Sequence, residues 1–225
     1  MRKILITGSS GFIGFHLSKK FLDFGYSVSG IDNMNNYYSK QLKEDRNSIL
    51  KRHENYVFFK SDINDSEALH NILSQEKPDL VVHLAAQAGV RYSIDNPHVF
   101  VRDNIGGFVT LLEACNKNQI KNLLYASSSS VYGNANKFPI SEDNVTDKPL
   151  SLYGASKKCN EILAYVYNNL FNFNSIGLRF FTVYGPWGRP DMALYKFADC
   201  IREGRPLPVY NKGNHERSFT YIDDI

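Results

Sequence analysis

The feature that most restricts how this chain can fold is a glycine-rich turn between an apolar run and an amphipathic segment. Residues 3–7, Lys-Ile-Leu-Ile-Thr, form a short apolar run typical of a buried parallel strand. Gly8, Gly11 and Gly14 follow, and a helical pattern continues to about Phe24. In such a turn the first glycine permits a tight bend, the second lets a pyrophosphate approach the backbone, and the third lets the helix pack close to the strand. The strand before the turn and the helix after it predict a dinucleotide-binding site.

Strands and helices are predicted to alternate along the rest of the chain. Further strands are predicted over residues 27–31, 56–60, 79–86, 122–126 and 174–182, and helices over residues 66–75, 98–118 and 152–171. Residues 35–54 are polar and predict a loop followed by a solvated helix. This alternation predicts an α/β fold, a Rossmann-like doubly wound parallel sheet with helices on both faces.

Composition excludes several classes of protein. The chain has 225 residues and a net charge of +3, with no basic block that would indicate a nucleic-acid or membrane surface. Cys115, Cys159 and Cys200 lack metal-site spacing and predict reduced thiols in a cytoplasmic protein without a bound metal. No apolar run is long enough to span a bilayer, and no signal peptide is expected.

Acidic residues at two predicted strand ends fit the adenosine half of a dinucleotide. Asp32 ends the second strand, near the spacing of roughly 20 residues expected for an acid that binds the ribose hydroxyls. The residues after it, among them Asn33, bring no arginine to neutralise a 2′-phosphate, which favours NAD over NADP. Asp62 and Ile63 end the third strand, where they would contact the adenine. The alternatives are a simple turn residue for Asp32 and a helix cap for Asp62.

Small and hydroxyl-bearing residues follow two later strands. Ala85 and Ala86 leave room for a ligand at the carboxyl edge, whereas His83 is expected to be a packed strand residue. Ser127 to Ser130 follow the fifth strand, and four hydroxyls are costly to bury there unless something uses them. The alternative is a serine-rich turn. Asn104, within a predicted helix, is expected to contact the strand-edge loops or the cofactor.

Tyr153 and Lys157 supply the predicted chemistry. Residues four apart on a helix point the same way, and a cation beside a phenol favours the phenolate and lowers its pKa. The pair therefore predicts a base that works near neutral pH. The alternative is an ordinary tyrosine and lysine on a solvated helix face.

The glycine turn, the Asp62-Ile63 pair, the Ser-Ser-x-x-Val-Tyr-Gly segment and Tyr153-x-x-x-Lys157 together resemble the extended short-chain dehydrogenase/reductases of the NAD-dependent epimerase/dehydratase family. The resemblance implies that Tyr153 takes a proton from a sugar hydroxyl, that Lys157 binds the nicotinamide ribose, and that Ser128 completes the proton path. Related 4,6-dehydratases carry Asp-Glu where this chain has Ser129-Ser130, so epimerisation is the expected chemistry.

The resemblance also implies two sets of binding residues. NAD would be bound by Gly8, Gly11, Phe12, Ile13, Gly14, Asp32, Asn33, Asp62, Ile63, Leu84, Ala85, Ala86, Gln87, Asn104, Ser127, Tyr153, Lys157 and Phe180. The Gly-Pro-Trp-Gly-Arg-Pro-Asp-Met run is similar to the UDP-glucuronate 4-epimerase subfamily. It implies a UDP-sugar substrate bound by Arg91, Ser128, Ser129, Ser130, Thr182, Arg189 and Arg217, with the uronate carboxylate near Thr182 and Arg189 and the diphosphate on Arg217.

The expected activity is therefore an NAD-dependent isomerase that inverts C4 of UDP-glucuronate through a transient 4-keto sugar. The alternatives are a neutral-sugar UDP-hexose 4-epimerase and a non-catalytic dinucleotide-binding fragment. We expect an NAD-binding domain over residues 1–180 and a partial, apparently truncated substrate lobe over residues 181–225, so that NAD binding survives while substrate affinity suffers. A homodimer is expected through residues 95–118 and 153–171.

Overall fold

A six-stranded parallel sheet lies at the centre of the computed structural model, which describes residues 2–135, 138–209, 211–214 and 216–225. The strands are β1 (Lys3–Thr7), β2 (Ser27–Asp32), β3 (Tyr56–Lys60), β4 (Leu80–His83), β5 (Asn122–Ala126) and β6 (Asn174–Leu178). Their order in the sheet is β3-β2-β1-β4-β5-β6. The order reverses beside β1, which is the topology of a doubly wound sheet and confirms the predicted fold class.

Helices cover both faces of this sheet. They are α1 (Phe12–Asp23), α2 (Lys40–Leu50), α3 (Ser66–Glu76), α4 (Tyr92–Asp95), α5 (Pro97–Phe100), α6 (Gly107–Lys117), α7 (Leu152–Phe171) and α8 (Ala193–Arg202). One buried apolar cluster joins the sheet to α3, α6 and α7, and a second joins it to α1 and α2. The two clusters hold α1 and α7 against the sheet. The N-terminal end of each helix lies at the carboxyl edge of the strands.

Two predicted strands are shorter in the structure than in the sequence analysis. β4 ends at His83, and the chain leaves the sheet at Leu84. β6 ends at Leu178 because its only neighbour, β5, ends at the paired residue Ala126. Thr182 belongs instead to β7 (Thr182–Tyr184), which pairs in parallel with β8 (Phe219–Tyr221) in a separate two-stranded sheet. A run of strand-forming residues cannot extend a sheet beyond its partner's hydrogen bonds.

Two predicted helices also differ in detail. The segment predicted as one helix over residues 98–118 contains a π-helical stretch at Val101–Gly106, between α5 and α6. Helix α2, predicted to be solvated, buries Lys43 and Arg46. In the described part of the chain, no helix has the length and apolar character needed to cross a membrane.

Candidate active site

A cavity of about 820 Å³ lies at the carboxyl edge of the sheet, beside the point where the strand order reverses. Ligands of doubly wound sheets bind at this position. The loops after β1, β4 and β5 and the start of α7 form most of its wall. Every residue that the sequence analysis assigned to NAD or to the sugar nucleotide lines this cavity, with the exception of Asn104.

The glycine turn has the shape that a diphosphate requires. Gly8 has a φ of +71°, and its N–H donates to the Ile31 carbonyl at 2.7 Å. A Cβ on Gly14 would lie 2.1 Å from the Gly8 oxygen, so α1 can pack against the turn only through glycine. Helix α1 has Gly11 at its N-cap and no side-chain cap, which leaves its first N–H groups for an anion. These residues therefore fit the pyrophosphate of a dinucleotide.

Asp32 is oriented by the backbone around it. Its carboxylate accepts hydrogen bonds from the Ser10 N–H at 3.2 Å and the Met34 N–H at 2.9 Å. Lys43 of α2 lies 3.9 Å from the same carboxylate, and its Nζ donates to Asn35 Oδ1 at 2.7 Å. Burial lowers the pKa of Lys43, while the charge of Asp32 opposes that effect. The sequence analysis missed this cation because Lys43 stands on a helix eleven residues after Asp32. The expectation of NAD over NADP took into account only the residues directly after Asp32.

Asp62 lines the cavity and is not a helix cap. The N-cap of α3 is Asp65, whose side chain accepts from the Ala68 N–H at 3.0 Å. Burial acts to raise the pKa of Asp62, but hydrogen bonds from Asn33 and Asn64 lower it below its usual value. A carboxylate held in its charged form is a good acceptor for an amino group.

The serine run packs against the start of helix α7. Helix α7 begins after Ser151, whose side chain accepts from the Gly154 N–H at 3.0 Å. Gly154 lies so close to Ser130 that a Cβ would be 2.7 Å from the Ser130 oxygen. Ser128 caps a short 3₁₀ turn by accepting from the Ser130 N–H at 3.2 Å. Ser127 donates to Glu161 at 2.6 Å, so its hydroxyl supports the wall of the cavity through α7.

Tyr153 and Lys157 both reach the cavity from α7. The Tyr153 ring packs edge-on against Phe100, with 6.1 Å between ring centroids. Lys157 is 2% exposed, and its Nζ donates to the Ala126 carbonyl at 2.8 Å. Burial lowers the pKa of Lys157 to about 8. The lysine is thus held by the end of β5 and is buried at the base of the cavity.

Asn104 lies behind the cavity wall, in the π-helical segment. It is fully buried, accepts from the Gln87 N–H at 2.8 Å and donates to the Gln87 carbonyl at 3.0 Å. It also donates to Ser156 Oγ at 3.0 Å. The expected contact with a strand-edge loop is present, and the side chain ties that loop to α7 instead of facing a cofactor. His83 is packed as expected, against Thr7 and Phe108.

A cationic group reaches the cavity from the loop after β7. Arg189 forms a two-point ion pair with Asp191, at 3.0 and 2.5 Å, and Tyr37 donates to the same carboxylate at 3.2 Å. Burial acts to lower the pKa of Arg189, but Asp191 and the Tyr153 phenol raise it overall. Arg91 and Arg217 also line the cavity and are exposed. The sequence analysis had no signal for Asp191 as the partner of Arg189 or for Tyr37 beside it.

The comparisons with known proteins agree with this geometry. The model of the NAD dependent epimerase/dehydratase family matches residues 4–225. A probable UDP-glucuronate 4-epimerase of Rhizobium meliloti is 46% identical, over 99% of this chain and 65% of its own length. The crystal structure of UDP-glucuronic acid 4-epimerase from Bacillus cereus, in complex with UDP-glucuronic acid and NAD, has a TM-score of 0.92 at 39% identity. It is matched over 99% of this chain and 70% of that one.

A structure with a different sugar is also similar. The UDP-glucose 4-epimerase of Thermotoga maritima, with UDP-glucose, has a TM-score of 0.87 at 30% identity, over 99% of this chain and 70% of that one. The chain spans about two thirds of the length of the bacterial relative and of both crystallised enzymes. The match of the family model over nearly all of the sequence shows that this chain belongs to the NAD dependent epimerase/dehydratase family.

Proposed function

We propose that this chain carries the catalytic centre of an NAD-dependent epimerase that interconverts UDP-glucuronate and UDP-galacturonate at C4. The observation that carries the proposal is one cavity that combines the glycine turn, Tyr153 with Lys157, and a neutral serine run. Family membership and the named UDP-glucuronate 4-epimerases support it. The proposal applies to this chain and to a longer protein that contains this sequence.

The side chains divide the work of moving one proton. Tyr153 accepts the proton of the sugar 4-hydroxyl and later returns it. Lys157, when charged, stabilises the phenolate that makes Tyr153 a base, and the Ala126 carbonyl fixes its position. Ser128, which also lines the cavity, orients the same hydroxyl. Bound NAD supplies the acceptor and donor of the C4 hydride, so no cofactor is consumed overall.

The residues around the sugar favour epimerisation over elimination. Ser129 and Ser130 line the cavity. The family resemblance implies that dehydratases carry acids at these two positions, and hydroxyls do not supply a general acid for loss of water. The 4-keto uronate would be a β-keto acid, which loses CO2 when its carboxylate bond aligns with the carbonyl π system. We propose that Thr182 and Arg189 hold the carboxylate out of that alignment, and that Arg217 binds the diphosphate.

An assay with two substrates tests the proposal. With NAD and UDP-glucuronate, we expect UDP-galacturonate, no net NADH and no CO2, and we expect Tyr153→Phe to abolish turnover. Arg189→Ala should lower the activity on UDP-glucuronate by roughly tenfold or more, because a charged hydrogen-bond partner is lost. If Arg189→Ala spares the activity and UDP-glucose is the better substrate, the neutral-sugar alternative is correct. If the wild type gives no turnover and Tyr153→Phe binds NAD as tightly as the wild type does, the chain is a binding fragment.

We also propose a homodimer through residues 95–118 and 153–171. Support comes from α7, where Ile162, Tyr165 and Leu170 expose 53%, 68% and 67% of their surface. Tyr165 and Leu170 lie three and eight residues after Ile162, so the three share one side of α7, and an exposed apolar side of a helix is normally covered. Light scattering should give the mass of two chains, and Tyr165→Glu together with Leu170→Glu should give one. A monomeric wild type would reject this assembly.

A further inference from the structure

Arg46 is a buried cation that the proposed chemistry does not use. It lies on α2 and has no exposed surface. Among the described residues, its hydrogen-bond acceptors are one phenol and three main-chain carbonyls, and no carboxylate lies within ion-pairing distance. Burying a guanidinium without an acidic partner is costly unless its donors are well used. The positions of those carbonyls therefore indicate the role of the Arg46 side chain.

The carbonyls belong to two loops, and each loop contributes other residues to the lining of the cavity. Nη1 donates to the Ser10 carbonyl at 3.0 Å, inside the glycine turn. Nη2 donates to the Trp187 carbonyl at 2.5 Å and the Gly188 carbonyl at 3.2 Å, directly before Arg189. The planar fork of arginine can hold acceptors on both sides at a fixed separation. One side chain thus joins the dinucleotide turn to the arginine loop.

Each end of this connection is also tied to a binding group. The Ser10 N–H donates to Asp32, the acid at the ribose position, so the Ser10 peptide links Arg46 with that carboxylate. At the other end, Trp187 has a φ of +58°, a conformation that a bulky residue adopts only when the surroundings hold it. Arg46 binds the carbonyl of that strained residue. A shift of either loop would therefore disturb the hydrogen bonds of the other.

We infer that Arg46 is a positioning residue that couples the dinucleotide site to the sugar-nucleotide site, so that NAD binding orders the loop carrying Arg189. The inference rests on the proposed function only for the identity of the two ligands. Coupling between sites is reciprocal, so each ligand should raise the affinity of the other by the same factor. Couplings of this kind are commonly about 5- to 150-fold.

Tyr195 supplies a matched control. Its hydroxyl accepts from the Gly188 N–H and donates to the Gly185 carbonyl, both at 2.9 Å. These bonds stabilise the same loop but make no connection to the glycine turn. Tyr195→Phe should therefore weaken binding of a uronate sugar nucleotide with and without NAD, and leave the ratio of the two affinities unchanged.

The experiment measures the affinity for the unreactive analogue UDP-4-deoxy-4-fluoro-glucuronic acid by calorimetry in the full chain, stripped of dinucleotide and then saturated with NAD. The wild type should show a ratio of at least about fivefold, Arg46→Met a ratio near one, and Arg46→Lys an intermediate ratio, because an ammonium cannot span both carbonyls. Tyr195→Phe should keep the wild-type ratio.

Three results would overturn the inference: a wild-type ratio near one, folded Arg46 variants that keep the wild-type ratio, or loss of the ratio in Tyr195→Phe as complete as in Arg46→Met. If Arg46→Met does not fold, Arg46→Lys and the wild-type ratio still decide. This analogue is used as the probe because it carries the carboxylate assigned to Arg189 and, without a 4-hydroxyl, cannot be turned over. The result therefore stands even if the proposed epimerase activity is not found.

Discussion

The side chain of Lys157 donates to the main-chain carbonyl of Ala126 at the point where β5 ends, and the 2.8 Å bond fixes the ammonium at the base of the cavity. This one contact gives the lysine a position, but it provides no neutralising charge. Burial consequently lowers the pKa of Lys157 to about 8. The proposed mechanism needs Lys157 in its charged form, and burying that charge lowers the stability of the folded protein.

Replacing Lys157 by methionine should change how stability depends on pH. The lysine pKa is lowered on folding, so below pH 8 both the folded and unfolded states are charged and the burial penalty is constant. Between about pH 8 and 10.5 the folded protein loses the proton first, and the penalty disappears. The unfolding free energy of the wild type should rise relative to Lys157→Met by roughly 3 kcal/mol over that window.

Urea unfolding of both proteins at pH 7.5 and 10.5 measures this difference, and Lys157→Gln checks that loss of charge, not shape, is responsible. A difference that stays flat with pH would show that Lys157 is not neutralised by burial. Both variants should be inactive at every pH, because neither can stabilise the Tyr153 phenolate.

His83 should make the fold sensitive to acid. Burial, with a smaller contribution from the charge of Lys157, lowers the pKa of His83 to about 3. As pH falls below 6.5, the unfolded chain takes up a proton that the folded chain refuses, so stability is lost. We expect the wild type to lose about 3 kcal/mol more than His83→Gln between pH 7 and pH 4, read from urea midpoints at each pH. Parallel pH profiles for the two proteins would contradict this expectation.

The sequence was sufficient to place the residues whose positions depend on local pattern. The glycine turn, Asp32 and the spacing of Tyr153 and Lys157 all lie within one strand–turn or one helix, where periodicity fixes direction. Lys43, Arg46 and Asp191 could not be predicted in this way. Their roles come from contacts between segments far apart in the chain, and a charged residue on a polar helix looks the same in sequence whether it is buried or solvated.

Lys43 should moderate the discrimination between NAD and NADP. Asp32 repels a 2′-phosphate, but the Lys43 ammonium lies 3.9 Å from that carboxylate and lines the same cavity. We expect Lys43→Met to weaken NADP binding roughly tenfold more than NAD binding, since it removes a cation beside Asp32 that could pair with the added phosphate. Fluorescence titration with both dinucleotides measures the ratio. An unchanged NAD-to-NADP ratio would mean that Lys43 serves only to orient Asn35.

Asp191 should lower the affinity of Arg189 for the carboxylate of an acidic sugar. The carboxylate already occupies two donors of the guanidinium, and it would repel a uronate carboxylate that approaches the same group. Asp191→Asn should therefore tighten UDP-glucuronate binding by roughly fivefold, the effect of about 1 kcal/mol from a partly exposed ion pair, while UDP-glucose binding stays the same. Calorimetry with both sugar nucleotides in the NAD-bound protein gives the two affinities.

Tyr37→Phe is the matched control for that measurement, because it removes the 3.2 Å hydrogen bond to Asp191 and leaves every charge in place. It should alter UDP-glucuronate affinity by less than about twofold. If Asp191→Asn instead weakens UDP-glucuronate binding, then the ion pair holds Arg189 in its binding position, and the carboxylate acts as a support and not as a competitor. The two roles of Asp191 predict opposite changes in UDP-glucuronate affinity. The direction of the change therefore shows whether Asp191 competes with the substrate or supports Arg189.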